Sequence, residues 1–178
     1  MTRITEQLGH LQRRINFAAQ AAGRNPQSVR ILAVSKTQPV EKIREAYSAG
    51  LTHFGENYLQ EASEKIPLMD PDLTWHFIGP VQSNKTRPIA EQFDWVHTVA
   101  SRKVAERLSA QRPEGLPDLN VCIQLRPDNA DQRNGVTEAE LPELVETICA
   151  LPRLQLRGLM TIPLPNLGET GTRNEFAR

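Results

Sequence analysis

Short apolar runs alternate with amphipathic stretches six times along this chain, and that rotation limits its fold more than any other feature. The opening run, Ile31-Leu-Ala-Val34, is continuously apolar, as expected of a strand covered on both faces. Val40, Ile43, Ala46 and Tyr47 then recur at helical spacing, with Gly50 as a stop. Further strands are predicted at 52–57, 73–79, 94–99, 119–125 and 154–162. The helices between them are predicted at 57–66, 83–93, 101–111 and 137–151. Ser83 or Asn84 would cap the 83–93 helix, and Thr137 with Glu140 has the spacing of a capping box. A separate helix comes first, its face drawn by Ile4, Leu8, Leu11, Ile15, Ala18 and Ala22, with Gly23 placed to end it in a left-handed cap. The last residues, TRNEFAR, read as the beginning of another.

Strand and helix in rotation predict a mostly parallel sheet with right-handed crossovers. An open dinucleotide-binding sheet should carry G-x-G-x-x-G after its first strand. Here that strand runs into Ser35-Lys36-Thr37, with no glycine. The preferred reading is α/β, a TIM-type parallel β/α barrel. A full barrel has eight strands and typically ~250 residues; with six strands in 178 residues the barrel is expected to be incomplete. The whole of 1–178 is then one binding domain, shortened at its C-terminus.

Charge is balanced, 21 basic residues against 21 acidic, which gives no electrostatic support to a nucleic-acid or membrane-surface role. No run approaches the roughly 20 apolar residues of a membrane span, and the N-terminus MTRITEQLGHLQRR lacks the apolar core of a secretory signal. Cys122 and Cys149 lie far apart and read as reduced, buried thiols of a cytoplasmic protein. His76 and His97 fall within strands, where a hydrogen-bonded structural histidine is the ordinary case. No carboxylate or cysteine is spaced around them, so no metal site is expected.

In barrels of this type, chemistry collects where strands end and the following loops begin. The polar residues there are Lys36; Glu56 and Asn57; Gln82, Asn84 and Lys85; Arg126, Asp128 and Asn129; and Thr161 beside Met160. The loop 79–85 reads equally as an anion cradle at a helix start and as a plain turn. The stretch 129–135 reads as a polar loop, with Asn134-Gly135 making a turn. Lys36 is the most reactive type in the set. Strand alternation would place it on one face with Val34 and Leu32, leaving Ser35 and Ala33 to the helices. An amine on such an apolar floor would be pushed toward its neutral, nucleophilic form, whose partner is an aldehyde. Pyridoxal 5′-phosphate is the common biological aldehyde that needs a lysine of this kind. A lysine that simply leaves the strand for solvent satisfies the same spacing, which leaves both readings open.

Four segments taken together narrow the choice. LAVSKTQP (32–39), HFGENYLQE (53–61), WHFIGPVQSNK (75–85) and RGLMTIP (157–163) resemble the pyridoxal phosphate homeostasis proteins, the YggS/PROSC-like family, in order and over nearly all of the chain. The resemblance implies a barrel like the N-terminal domain of alanine racemase. Lys36 would be the Schiff-base residue, with Asn57 beside the cofactor ring and His76 and Met160 lining the same pocket. It also implies a protein that binds pyridoxal phosphate for intracellular homeostasis without catalysing a reaction, with pyridoxal phosphate-dependent apoenzymes as candidate recipients. The alternatives are a pyridoxal phosphate-dependent enzyme of the racemase or decarboxylase type, and a fragment that has lost cofactor binding. Gln38 stands where the family commonly has a lysine. The family's serine-rich and glycine-threonine phosphate-binding segments, and its arginine facing the pyridine nitrogen, have no counterpart within residues 1–178.

Overall fold

The computed structural model describes residues 2–126 and 134–177. Asp128 and Asn129, and most of the polar loop 129–135, therefore lie outside the described residues. Six strands form one sheet in the order β1-β2-β3-β4-β5-β6, with β1 and β2, β3 and β4, β4 and β5, and β5 and β6 paired in parallel. The strands are β1 (Ala33–Val34), β2 (His53–Glu56), β3 (Thr74–Phe77), β4 (Trp95–Val99), β5 (Leu119–Leu125) and β6 (Leu154–Thr161). Helix α1 (Arg3–Ala21) precedes them, and α2 (Val40–Ser48), α3 (Leu59–Lys65), α4 (Thr86–Gln92), α5 (Arg102–Gln111) and α6 (Leu141–Ala150) occupy the five connections. The last helix, α7 (Gly168–Phe176), follows β6. This is the barrel-like α/β architecture that the alternation predicts, with the strand ends and the loops after them on one side.

The chain divides into two compact units, Met1–Trp75 and His76–Arg178. In the first, Ile43, Phe54 and Ala62 are shut away from solvent, and the Phe54 and Trp75 rings lie 5.9 Å apart. Helices α1 and α2 both end through glycine. Arg24 N–H donates to Ala19 O and Gly23 N–H to Gln20 O, and the same pair of bonds recurs from Leu51 to Ala46 and from Gly50 to Tyr47. Gly23 and Gly50 hold the left-handed position this closure requires, with φ of 65° and 97°.

In the second unit β5 is buried on both faces, as its apolar sequence demands, and Ile89, Phe93, Leu108 and Ile148 pack around Val96, Val121 and Ile123. Between β5 and β6 the register slips: Val121 pairs with Leu156 but Cys122 with Gly158, leaving Arg157 as an extra residue. Gly158 takes up the resulting bend with φ of 151°. The predicted turn at Asn134-Gly135 brings Gly135 so close to the end of β5 that a Cβ would stand 2.7 Å from Arg126 N. The expectation of buried thiols is met at Cys122 and not at Cys149, which is exposed.

Several element ends depart from the sequence reading. β1 is half its predicted length, covering only Ala33 and Val34. Neither Ser83 nor Asn84 caps α4: its first residue is Thr86, whose hydroxyl donates back to Ser83 O and closes the preceding turn instead. The Thr137–Glu140 capping box does form, with Glu140 N–H donating to Thr137 Oγ1 and Thr137 N–H to Glu140 Oε2, but it closes a turn before α6 begins at Leu141.

A buried arginine holds the end of α4 to the neighbouring loops. Arg112 is 4% exposed and donates to Ala90 O and Phe93 O, both at 2.7 Å, and to Pro117 O at 2.8 Å. Replacing it with an apolar side chain strands three carbonyls in the interior. Arg112→Met is expected to lower the free energy of unfolding by about 3 kcal/mol, read as a shifted urea midpoint with unchanged slope.

Candidate functional site

Lys36 and Asn57 each follow the end of one of two adjacent, paired strands. Val34 of β1 pairs with Gly55 of β2, and each of the two polar residues stands two positions beyond its member of that pair. Alternation turns Ser35 to the packed helix side, where it is buried, and leaves Val34 and Lys36 on the other face. That face is open, with Val34 50% exposed and Lys36 exposed as well. The expectation of a lysine standing on a buried apolar floor is therefore not met: in so short a strand, the residue drawn into the packing is Ser35. Asn57 is half-buried, and its Oδ1 is enclosed without a hydrogen-bond partner. An amine in the open beside a buried, unused amide oxygen is a donor set suited to an aldehyde-bearing ligand that also offers a hydrogen-bond donor.

Beneath these residues lies a charged cluster that sequence reasoning missed. Lys65, the last residue of α3, is 7% exposed, and its ammonium donates to Ser35 O (2.9 Å), Glu56 Oε1 (3.0 Å) and Glu61 Oε1 (2.5 Å). All three of its donors are used. Glu56 is fully buried, accepts a second bond from Ser35 Oγ at 2.7 Å and leaves Oε2 without a partner. Glu61 accepts a further bond from Thr37 N–H at 2.7 Å. Two signals were present in the sequence. Glu61 and Lys65 stand four apart on one helix face, and Glu56 ends a strand whose next inward residue, Phe54, is core. Neither signal says that the lysine is buried.

The other two predicted residues belong to the second unit. His76 on β3 is buried, its ring stacked on Trp95 at 5.3 Å, and its Nδ1 lies 2.8 Å from His97 Nε2. The guanidinium of Arg157, the extra residue of the β5/β6 slip, sits 5.7 Å from the Trp95 ring centre. Met160 on β6 is in register with the buried Gln124, and β4 and β5 stand between its strand and that of His76. The structure thus has Lys36 and Asn57 just past the ends of two paired strands, and it has His76 in an aromatic and imidazole cluster, hydrogen-bonded to His97. Among the described residues, no group of three or more His, Cys, Asp or Glu is placed to hold a metal ion, and no helix is long and apolar enough to cross a membrane.

Two imidazoles sharing a hydrogen bond need one ring nitrogen to donate and the other to accept, so a second proton disrupts the contact. Burial also holds the His97 pKa below its ordinary value of 6.5. A depressed imidazole is neutral in the folded chain while the unfolded chain takes up the proton first. Its contribution is therefore complete above pH ~6.5 and is lost as the pH falls from there toward the folded value. The melting temperature should therefore decline as the pH falls below about 6.5. His97→Gln should flatten that part of the profile, as measured by thermal scans across the range.

Comparison with known proteins matches residues 7–177 to the family model described as alanine racemase, N-terminal domain. A pyridoxal phosphate homeostasis protein of Pseudomonas aeruginosa is 53% identical over 100% of this chain and 78% of its own length. The protein of that name from Escherichia coli K12 is 48% identical over 93% of this chain and 72% of its own length. Among solved structures, PipY of Synechococcus elongatus, with PLP bound, superposes with a TM-score of 0.84 at 38% identity, covering 98% of this chain and 77% of that one. Alanine racemase from Corynebacterium glutamicum, at 16% identity and a TM-score of 0.68, covers 97% of this chain and 48% of that one, and shares the fold. The chain belongs to the alanine racemase N-terminal domain family and, within it, to the pyridoxal phosphate homeostasis proteins.

Proposed function

We propose that this chain holds pyridoxal 5′-phosphate on Lys36 and keeps it available without turning over a substrate. The observation that carries the reading is that Lys36 and Asn57 follow the ends of the paired strands β1 and β2, one amine exposed and one amide oxygen buried with no partner. What supports it from outside the chain is the name shared by relatives about 50% identical, and the cofactor in the PipY structure. The cofactor would supply an electrophilic aldehyde carbon. Lys36 would hold the group through its amine, the nitrogen type that condenses with an aldehyde. Asn57 would orient the bound ring through Oδ1. Residues 1–178 would act as one binding domain.

Reversible attachment alone makes a carrier. Racemisation needs, in addition, an acid and a base poised on opposite sides of the substrate carbon. A cytoplasmic setting suits this role, since pyridoxal phosphate-dependent apoenzymes there would be the recipients, and the free thiols Cys122 and Cys149 suit a reducing compartment.

Borohydride reduction of the protein with pyridoxal phosphate should fix one mass adduct, on the peptide carrying Lys36, and Lys36→Ala should give none. Asn57→Ala should weaken binding by about 1 kcal/mol, roughly fivefold, read by titrating the absorbance of the bound cofactor. An adduct that persists in Lys36→Ala overturns the attachment site, and amino-acid racemisation by the purified protein overturns the carrier role.

A further inference from the structure

Among the described residues nothing ties down the Lys36 side chain, yet both of its neighbours are held. Ser35 is anchored through its side chain on Glu56 and through its carbonyl on Lys65. Thr37 is anchored through its backbone N–H on Glu61. Lys65 joins the two anchors by bonding both carboxylates. Thr37 is a β-branched residue at φ of 62°, a conformation such side chains rarely adopt; it sits third in the Ser35–Gln38 turn, closed by Gln38 N–H donating to Ser35 O at 3.0 Å, and the Glu61 contact adds a second hold on it.

We propose that Glu56, Glu61 and Lys65 are positioning residues for Lys36: a buried ionic clamp that fixes the backbone of 35–37 from below and so presents the amine in one direction. The inference rests on Lys36 as the attachment point. Its force comes from where the bonds land. A network serving only to dock α3 on β2 would need the Lys65–Glu56 pair and any acceptor for the remaining ammonium donors, and would need nothing at Thr37. Here two more bonds fall on backbone atoms on either side of residue 36, the Ser35 carbonyl and the Thr37 amide. The clamp also separates the two lysines by chemistry. Lys65 is buried with every N–H engaged and is withheld from carbonyl compounds, whereas Lys36 is free to meet them.

An amine aimed by its backbone gains rate only toward a ligand that is itself held in place; a small aldehyde arriving from solution gains nothing. That difference distinguishes aiming from general stability. The variants are Glu61→Ala, which releases Thr37 at a carboxylate 26% exposed, and Glu56→Gln with Lys65→Met, which removes both charges of the buried pair together. Borohydride trapping of pyridoxal phosphate on Lys36 should slow by about tenfold or more in each. Reductive methylation of the same amine by formaldehyde should stay within about twofold of the starting protein, as an exposed, untethered amine requires. The Thr37 amide should exchange its hydrogen faster in Glu61→Ala, and Glu61→Gln, which keeps an acceptor oxygen, should restore both trapping and protection. Should the double variant not fold, Glu61→Ala and Glu61→Gln carry the comparison. Trapping at the original rate in folded Glu61→Ala, or a parallel loss of formaldehyde labelling, overturns the clamp and leaves the Lys36 assignment standing. Trapping on a residue other than Lys36 in the unaltered protein overturns that assignment itself.

Discussion

An ammonium group enclosed with two carboxylates survives only while every partner stays in place. Removing such an ion from water costs several kcal/mol even after the protein relaxes, and the loss of one partner from a buried pair costs about 3–5 kcal/mol. Lys65 meets the condition through Ser35 O, Glu56 and Glu61, three acceptors drawn from the end of β1, from β2 and from α3. Because each acceptor comes from a different element, the ion pairs reward a single arrangement of strand ends and helix. An apolar cluster of the same volume could hold the elements together, but it would not dictate which backbone carbonyl faces which side chain. The direction in which β1 releases its next residue follows from that constraint.

The second unit uses a different means to the same kind of order. Its core is apolar and close-packed, with Phe77 and Phe93 edge to face at 5.2 Å, and several of its polar exceptions are satisfied by backbone. Thr98 donates to Gly79 O, Ser109 to Pro152 O and Arg112 to three carbonyls. The slip between β5 and β6 turns Arg157 out of the ladder and over Trp95, beside the His76–His97 pair. A parallel sheet otherwise repeats itself strand by strand, so such slips give neighbouring strand ends different side chains to present.

Much of this architecture was legible in the residues, for definite reasons. The apolar run of Leu119–Leu125 could only be a strand buried on both faces, and Gly23 and Gly50 sat where helices close. Strand alternation was enough to place Ser35 toward the helices and Lys36 away from them, and in-order motifs were enough to indicate the family. What did not show was depth. The spacing of Glu61 and Lys65 is that of an ordinary surface pair, and only the path of α3 across the ends of β1 and β2 brings Lys65 inside. The openness of the Lys36 face was missed for the complementary reason, since a run of apolar letters does not say whether anything lies opposite. Ser83 and Asn84 looked like caps because their chemistry suits one, while the helix starts later, at Thr86, whose hydroxyl donates back to the Ser83 carbonyl.

Thr37 carries one more implication. Its left-handed backbone is a loaded conformation for a side chain branched at Cβ, costing on the order of 1 kcal/mol that the bond to Glu61 holds in check. The segment is therefore held twice, by the turn bond from Gln38 to Ser35 and by the bond from Thr37 to Glu61. The consequence is that the backbone beside Lys36 is set by groups that lie apart from its side chain.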